Sequence, residues 1–281
     1  MVLIDSGAAP PELFAPFLEK YPWLRLHPIA PGVDYGDQKS LTASLVSGEV
    51  VLLADSDCVY QPGWIDSILR TFADRPEIGV IAGETTIAIE GPYTLGIALI
   101  YFFPRFSWET EPAQARGFFG NNVAFRRQVL LDCPFPSGLP IFRGQNVIYS
   151  RMLRAAGIPI WRLPLARCWH APPDTFLKAL ARLFETGRDM PRLARLDSPP
   201  ADAPYQGDFE PYDRTGGRVR KVVERFRSMW KQEPAQLLWL PLALPIAAAC
   251  VGAFFLGLMT ERMFPSAYGH HRAPSGVDAT E

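Results

Sequence analysis

Hydrophobic and polar positions change period several times along this chain. Val50–Ala54 is an unbroken apolar, β-branched-rich run, as a strand covered on both faces requires, and it stops abruptly at Asp55-Ser56-Asp57. Val2–Asp5 and Leu24–His27 read as two further strands. Pro11–Lys20 reads as a helix with Leu13, Phe14, Phe17 and Leu18 on one side, and Gln38–Val46 as a helix ended by Gly48. Beyond the central run, Trp64–Ala73 has helical spacing, and Val80–Ile89 alternates as a strand with Gly83 as its bulge. This alternation predicts a doubly wound α/β domain with a mostly parallel sheet and crossover helices.

The pattern changes after residue 170. Phe176, Leu177, Leu180, Leu183 and Phe184 recur at helical spacing, whereas 191–217 is rich in proline and acids and reads as a linker or lid. Residues 218–231 place Val219, Val222, Val223, Phe226, Met229 and Trp230 opposite basic residues, the pattern of a helix lying in a membrane interface or packed on the main domain. Leu237–Met259 has no charged residue and is long enough to cross a hydrocarbon core of about 30 Å. Its soluble alternative is a buried core helix. The expected organisation is a domain over 1–190, a linker or lid over 191–217, an interfacial helix over 218–231, a transmembrane helix over 237–259 and a disordered tail over 260–281. Arg214, Arg218, Arg220, Lys221, Arg225, Arg227 and Lys231 precede the span, and only Arg262 and Arg272 follow it. The positive-inside rule therefore predicts a single-pass membrane protein with the large domain in the cytoplasm and the tail outside. A second apolar stretch, Tyr93–Phe106, is too short to span with ease. It reads as a helix packed on the sheet or as a greasy wall for a lipid-linked acceptor.

Composition narrows the function classes. A formal net charge of -1 over 281 residues argues against a nucleic-acid partner. Cys58, Cys133, Cys168 and Cys250 are widely spaced, which fits reduced thiols better than a disulfide framework or a zinc site. Asp5 and the prolines after it interrupt any signal-peptide core. Two carboxylates at the carboxyl end of a buried strand form a hard oxygen site, suited to Mg²⁺ or Mn²⁺ carrying a diphosphate, and such an edge is where ligands of open α/β sheets bind. An acidic turn is the plainer alternative.

Asp55-Ser56-Asp57 resembles the DxD motif of family 2 glycosyltransferases, which have the GT-A fold. The resemblance extends in order through Ser47-Gly48-Glu49-Val50, Gln61-Pro62-Gly63-Trp64-Ile65, Gly120 to Arg127, Arg143-Gly144-Gln145-Asn146, Arg151-Met152-Leu153 and Trp169-His170. It covers about residues 2 to 190. It implies transfer of a sugar from a nucleoside-diphosphate sugar, with a divalent metal as cofactor. It also implies roles. Asp57 would ligate the metal and Asp55 would touch ribose or metal-bound water. His170 would be a further metal or phosphate contact, and Asp5 would accept from the nucleotide. Lys39, in place of a family arginine, would approach phosphate or base. Each has a structural alternative: a strand-end cap for Asp5, a solvated helix residue for Lys39, a core or surface residue for His170.

Two departures stand out. The family's first strand has no counterpart ahead of Val2. And the carboxylate that serves inverting members as general base is Asn146, which cannot take a proton at neutral pH. Glu84, after Gly83, is the substitute in register. Two functions follow: a membrane-anchored glycosyltransferase acting on a lipid or lipid-linked acceptor, or a degenerate homologue that binds without catalysing.

Overall fold

The structure is a computed structural model and describes residues 1–7, 9–101, 106–196, 227, 229–231 and 233–265. Two short parallel strands, β1 (Val2–Asp5) and β2 (Arg25–Pro28), open the chain. Between them the expected helix over Pro11–Lys20 is divided into a 3-10 turn (Pro11–Leu13) and α1 (Ala15–Lys20), and Leu13 and Phe17 are exposed. The helix α2 (Tyr35–Leu45) begins three residues earlier than the pattern indicated, because the Asp34 side chain accepts from Gly36 N–H at 2.7 Å and caps it.

Next come β3 (Val50–Ala54), β4 (Cys58–Tyr60), α3 (Trp64–Asp74), β5 (Val80–Thr86) and α4 (Pro92–Tyr101). Then follow β6 (Ala113–Ala115), β7 (Asn122–Arg126), α5 (Arg127–Asp132), α6 (Gln145–Ala155) and β8 (Ile160–His170). The hydrogen-bonded order is β3-β7-β5-β8-β4, with β6 added to β8. β3, β5 and β8 run in one direction, which is the parallel set expected. β7 lies antiparallel between β3 and β5, and β4 and β6 run antiparallel to β8. One detail is corrected. Val50–Ala54 is not central; it ends the described pairing path, and β5 takes the middle. The sequence hid this because β7 is five residues long and its carboxyl neighbours are polar.

Side-chain alternation buries both faces of the sheet. Val51, Leu53, Val80, Ala82, Val123 and Phe125 pack towards Ala43 of α2 and Tyr149 and Leu153 of α6. Ile81, Ala124 and Leu163 pack towards Trp64, Ile68 and Phe72, which line one side of α3 at i, i+4 and i+8. The β5–β8 register breaks between Gly83 and Glu84, so Gly83 pairs Leu163 while Glu84 pairs Arg167. Asn122 fills the gap. Its amide donates to Glu84 O at 3.1 Å and Ala166 O at 3.0 Å, and its oxygen accepts from Trp64 Nε1 at 2.8 Å. A Cβ on Gly83 would fall on Ala166 O and the Asn122 amide, so the bulge requires glycine here.

The remaining described elements are helical. α7 (Phe176–Leu196) is longer than its apolar pattern suggested and takes in the first residues of the expected linker, including Pro191. A 3-10 turn (Pro234–Trp239) leads into α8 (Leu240–Met263), the apolar helix expected near the C-terminus. By length and composition Pro234–Met263 could cross a membrane. Most of the expected linker, most of the expected interfacial helix and the tail beyond 265 lie outside the described residues.

Candidate functional site at the carboxyl edge of the sheet

The site grows out of two strand ends. β3 delivers Asp55 and Asp57 into a tight turn in which Cys58 N–H donates to Asp55 O at 3.3 Å. The chain then reverses into β4, which pairs antiparallel with β8 so that Cys58 lies opposite His170. Ala171 N–H donates to Asp57 O at 2.8 Å and closes that register. The result is His170 Nε2 at 3.4 Å from an Asp57 carboxylate oxygen. The Cys58 thiol is 3.8 Å from the other Asp57 oxygen, and one ligand atom from each of Asp57, Cys58 and His170 lies within 4.8 Å of the others.

This donor set fits a divalent cation. A carboxylate oxygen and an imidazole nitrogen suit Mg²⁺ or Mn²⁺ when oxygen ligands from a diphosphate complete the shell. A hydrogen bond with the Cys168 thiol, burial and the two nearby aspartates all push the Cys58 thiol up.

Asp55 has a different environment. Lys39 of α2 donates to Asp55 Oδ1 at 2.7 Å and to Gly120 O at 3.3 Å. Burial opposes the Lys39 charge, but Tyr35 and Asp55 outweigh it, and the ammonium is held above its ordinary value. The Tyr35 ring stands 5.2 Å from that ammonium, and burial raises its hydroxyl. The same hydroxyl donates to Asn146 Oδ1 at 3.4 Å. A side chain on Gly120 would collide with Tyr35 OH and the Asn146 amide, so Gly120 lets these groups meet. Tyr60 locks the turn from below: its hydroxyl accepts from Asp55 N–H at 2.9 Å and donates to Asn121 O at 2.6 Å.

Thus the structure brings Asp55, Lys39 and Asn146 into one group through Tyr35 and Gly120, and Asp57 and His170 into an adjoining one. Asp5 sits apart in its contacts. It ends β1, and its carboxylate accepts from Gly7 N–H at 3.0 Å, the strand-end cap. Glu84 is not joined to this cluster either. It is buried, accepts from Ser107 N–H at 2.9 Å and lies 3.6 and 3.7 Å from the Arg162 and Arg167 guanidiniums. Arg162 also pairs with Glu109. Oxygens committed in this way are poor acceptors for a substrate proton. Gln145 donates to Ile141 O at 3.0 Å and holds the turn ahead of α6. Residues that the pattern left unmarked are Tyr35, Tyr60 and the Gly120 carbonyl. Tyr60 alone carried a signal, three residues after Asp57.

Comparison with known proteins agrees with this geometry. The family model described as glycosyltransferase like family 2 matches residues 37–185, just over half of the chain. A curated relative, the glucosyl-dolichyl phosphate glucuronosyltransferase of Haloferax volcanii, is 26% identical over 110 residues, which is 36% of this chain and 33% of the relative. The matched segment is therefore a third of that protein's length. Among solved structures, a mannosyltransferase from Pyrobaculum calidifontis in complex with GDP-Man and Mn²⁺ superposes with a TM-score of 0.51 at 15% identity, over 94% of this chain and 77% of that one. TarS of S. aureus in complex with UDP-GlcNAc gives 0.50 at 11% identity over 93% and 82%. GalNAc-T7 with UDP, GalNAc and Mn²⁺ gives 0.50 at 13% identity over 84% and 50%. At these identities the likeness is one of fold, and the fold is GT-A.

Proposed function

The chain belongs to the glycosyltransferase-like family 2, and from that premise we propose that it transfers a sugar from a nucleoside-diphosphate sugar to a lipid-linked acceptor at a membrane. The observation that carries the proposal is the Asp57–His170 pair, 3.4 Å apart, beside the Lys39–Asp55 pair at the carboxyl edge of the sheet. Asp57 and His170 would hold a divalent cation, which would offset charge building on the leaving diphosphate. Lys39 adds a fixed positive charge at the same edge, and Asp5 is proposed to meet the nucleotide from β1. The lipid-linked acceptor is supported by the relative's name and by exposed Phe176 and Leu177 at the start of α7, six and seven residues after His170.

Proton removal from the acceptor is the least provided step. Asn146 occupies the base position and Glu84 is held between arginines. That observation favours a second reading, a homologue that binds the donor without transferring. One assay separates the two. Purified full chain is given a radiolabelled UDP- or GDP-sugar, Mn²⁺ and polyprenyl phosphate, and lipid-extractable label is counted. Label that appears with wild type and disappears with Asp57→Asn supports transfer. Mn²⁺-dependent nucleotide binding without label supports the binding homologue. Neither binding nor transfer overturns both.

A further inference from the structure

α8 is uniformly apolar in composition, yet its surroundings divide it sharply. Ala243, Ala247, Cys250, Phe254, Gly257 and Glu261 recur at intervals of four and three residues. All except Phe254 are buried, and Phe254 is half-buried. This is the seam of a packed helix pair. α4 covers its first half: a Cβ on Gly96 would stand 2.9 Å from Ala243 O. α7 covers its second half. Gly187 faces the Phe254 carbonyl and Gly257 faces the Phe184 carbonyl so closely that neither has room for a Cβ. At the last turn Glu261, fully buried, accepts from Arg192 at 2.6 Å and Arg195 at 3.1 Å. Arg192 also donates to Asp189 at 3.0 Å, and Asp189 accepts from the backbone N–H groups of Phe142 and Arg143 at 2.8 and 2.7 Å. α8 is thereby fastened to the loop that leads into α6.

The seam runs for nineteen residues from Ala243 to Glu261, about 27 Å of helix. That nearly equals the hydrocarbon thickness of about 30 Å. A helix crossing the bilayer would therefore take α7 in with it. α7 carries Lys178, Arg182, Glu185, Arg188 and Arg195, charges that hydrocarbon does not accommodate. The opposite side of α8 is apolar, and among the described residues Leu242, Val251, Phe255, Leu256 and Met259 on it are all exposed. Arg262 continues that side, seven residues after Phe255, and is exposed too, as are Lys231 and Trp230 ahead of the helix. An apolar strip with basic and aromatic ends matches an anionic bilayer surface.

We propose that α8 does not span the membrane but lies along it, with one side on α4 and α7 and the other in the lipid, so that both ends of the chain stay on the side of the catalytic domain. This rests on the membrane association proposed above, and it sets the described domain directly against the bilayer.

The test uses the full chain with one epitope tag before Met1 and another after Glu281, in sealed membrane vesicles treated with protease. Loss of both tags in the same vesicle population is the expected result. Tags on opposite sides overturn the proposal and leave membrane association standing. Recovery of the protein in the soluble fraction overturns both. Independently, a Phe255→Glu, Leu256→Glu variant changes only exposed positions. Its binding to phosphatidylglycerol–phosphatidylcholine vesicles should fall about tenfold or more, with an unchanged melting temperature. Unchanged vesicle binding would show that this face is not the lipid-contacting one.

Discussion

The carboxyl edge of the sheet and the α7–α8 seam are built on opposite principles. At the edge, polar groups keep some contact with water and meet in pairs: Lys39 with Asp55, the His170 ring with Asp57. Pairs open to solvent add little to stability. At the seam, Arg192 and Glu261 are almost wholly buried, each held by more than one oppositely charged partner, and helices touch backbone to backbone at Gly187 and Gly257. Removing one member of such a group is costly because the rest stay behind as buried charge. The contrast teaches where chemistry and cohesion reside. Substitutions at the edge should remove function and spare the fold, and substitutions at the seam should do the reverse.

The largest effect is expected at the edge. Asp57→Asn keeps the side-chain shape and removes the charge that faces His170. Sugar transfer should fall by roughly 10²- to 10³-fold, the usual loss when one electrostatic contact to a developing charge is removed. Titration calorimetry with Mn²⁺ and a nucleoside diphosphate should lose its coupled signal, while the thermal midpoint stays put. A melting temperature that drops with the activity would erase the distinction between the two regions.

The counterpart is Arg192→Leu. It leaves Glu261 and Asp189 buried without the guanidinium that joins them, and should cost about 3–5 kcal/mol in denaturant unfolding. Enough protein should survive at low temperature to show near-normal affinity for the nucleoside diphosphate. An unchanged stability would mean that Arg188 and Arg195, which also face Glu261, suffice. A smaller and more local effect is expected from Gly257→Ala. The added methyl group has no room beside the Phe184 carbonyl, so the helices must part, at about 1–3 kcal/mol.

How much of this was legible in the sequence differs between the two regions for a physical reason. The edge could be read because its parts follow one another: an apolar run, two aspartates one residue apart, a later strand ending in histidine. What brings His170 to Asp57 is the pairing of the three-residue β4 with β8, and a strand so short leaves almost no pattern. The environment of Glu84 was not legible, because its partners Arg162, Arg167 and Ser107 are distant in sequence. The seam was hidden for the opposite reason. The four-and-three spacing from Ala243 to Glu261 is present in the chain, but on a helix apolar all round it has no contrast to reveal it. Gly187, Gly257 and Glu261 acquire meaning only against each other.

The smallest predicted effect lies where the contrast should blur. Asp34 touches no substrate-facing group, but its carboxylate accepts from Gly36 N–H at 2.7 Å and starts α2, the helix that carries both Tyr35 and Lys39. Gly36 itself packs so closely on the Pro136 carbonyl that the turn has no room for a Cβ there. Asp34→Ala removes the cap, which is worth about 1 kcal/mol. Fraying of the first turn would loosen Tyr35 from Asn146 and weaken the hold of Lys39 on Asp55. Both readouts should therefore move together and slightly: a stability loss near 1 kcal/mol in denaturant unfolding, and nucleoside-diphosphate affinity down by about threefold. Asp34→Asn, which retains the cap, should restore both. If Asp34→Asn restores stability but not affinity, the Asp34 charge itself faces the nucleotide, and the polar edge extends one residue beyond α2.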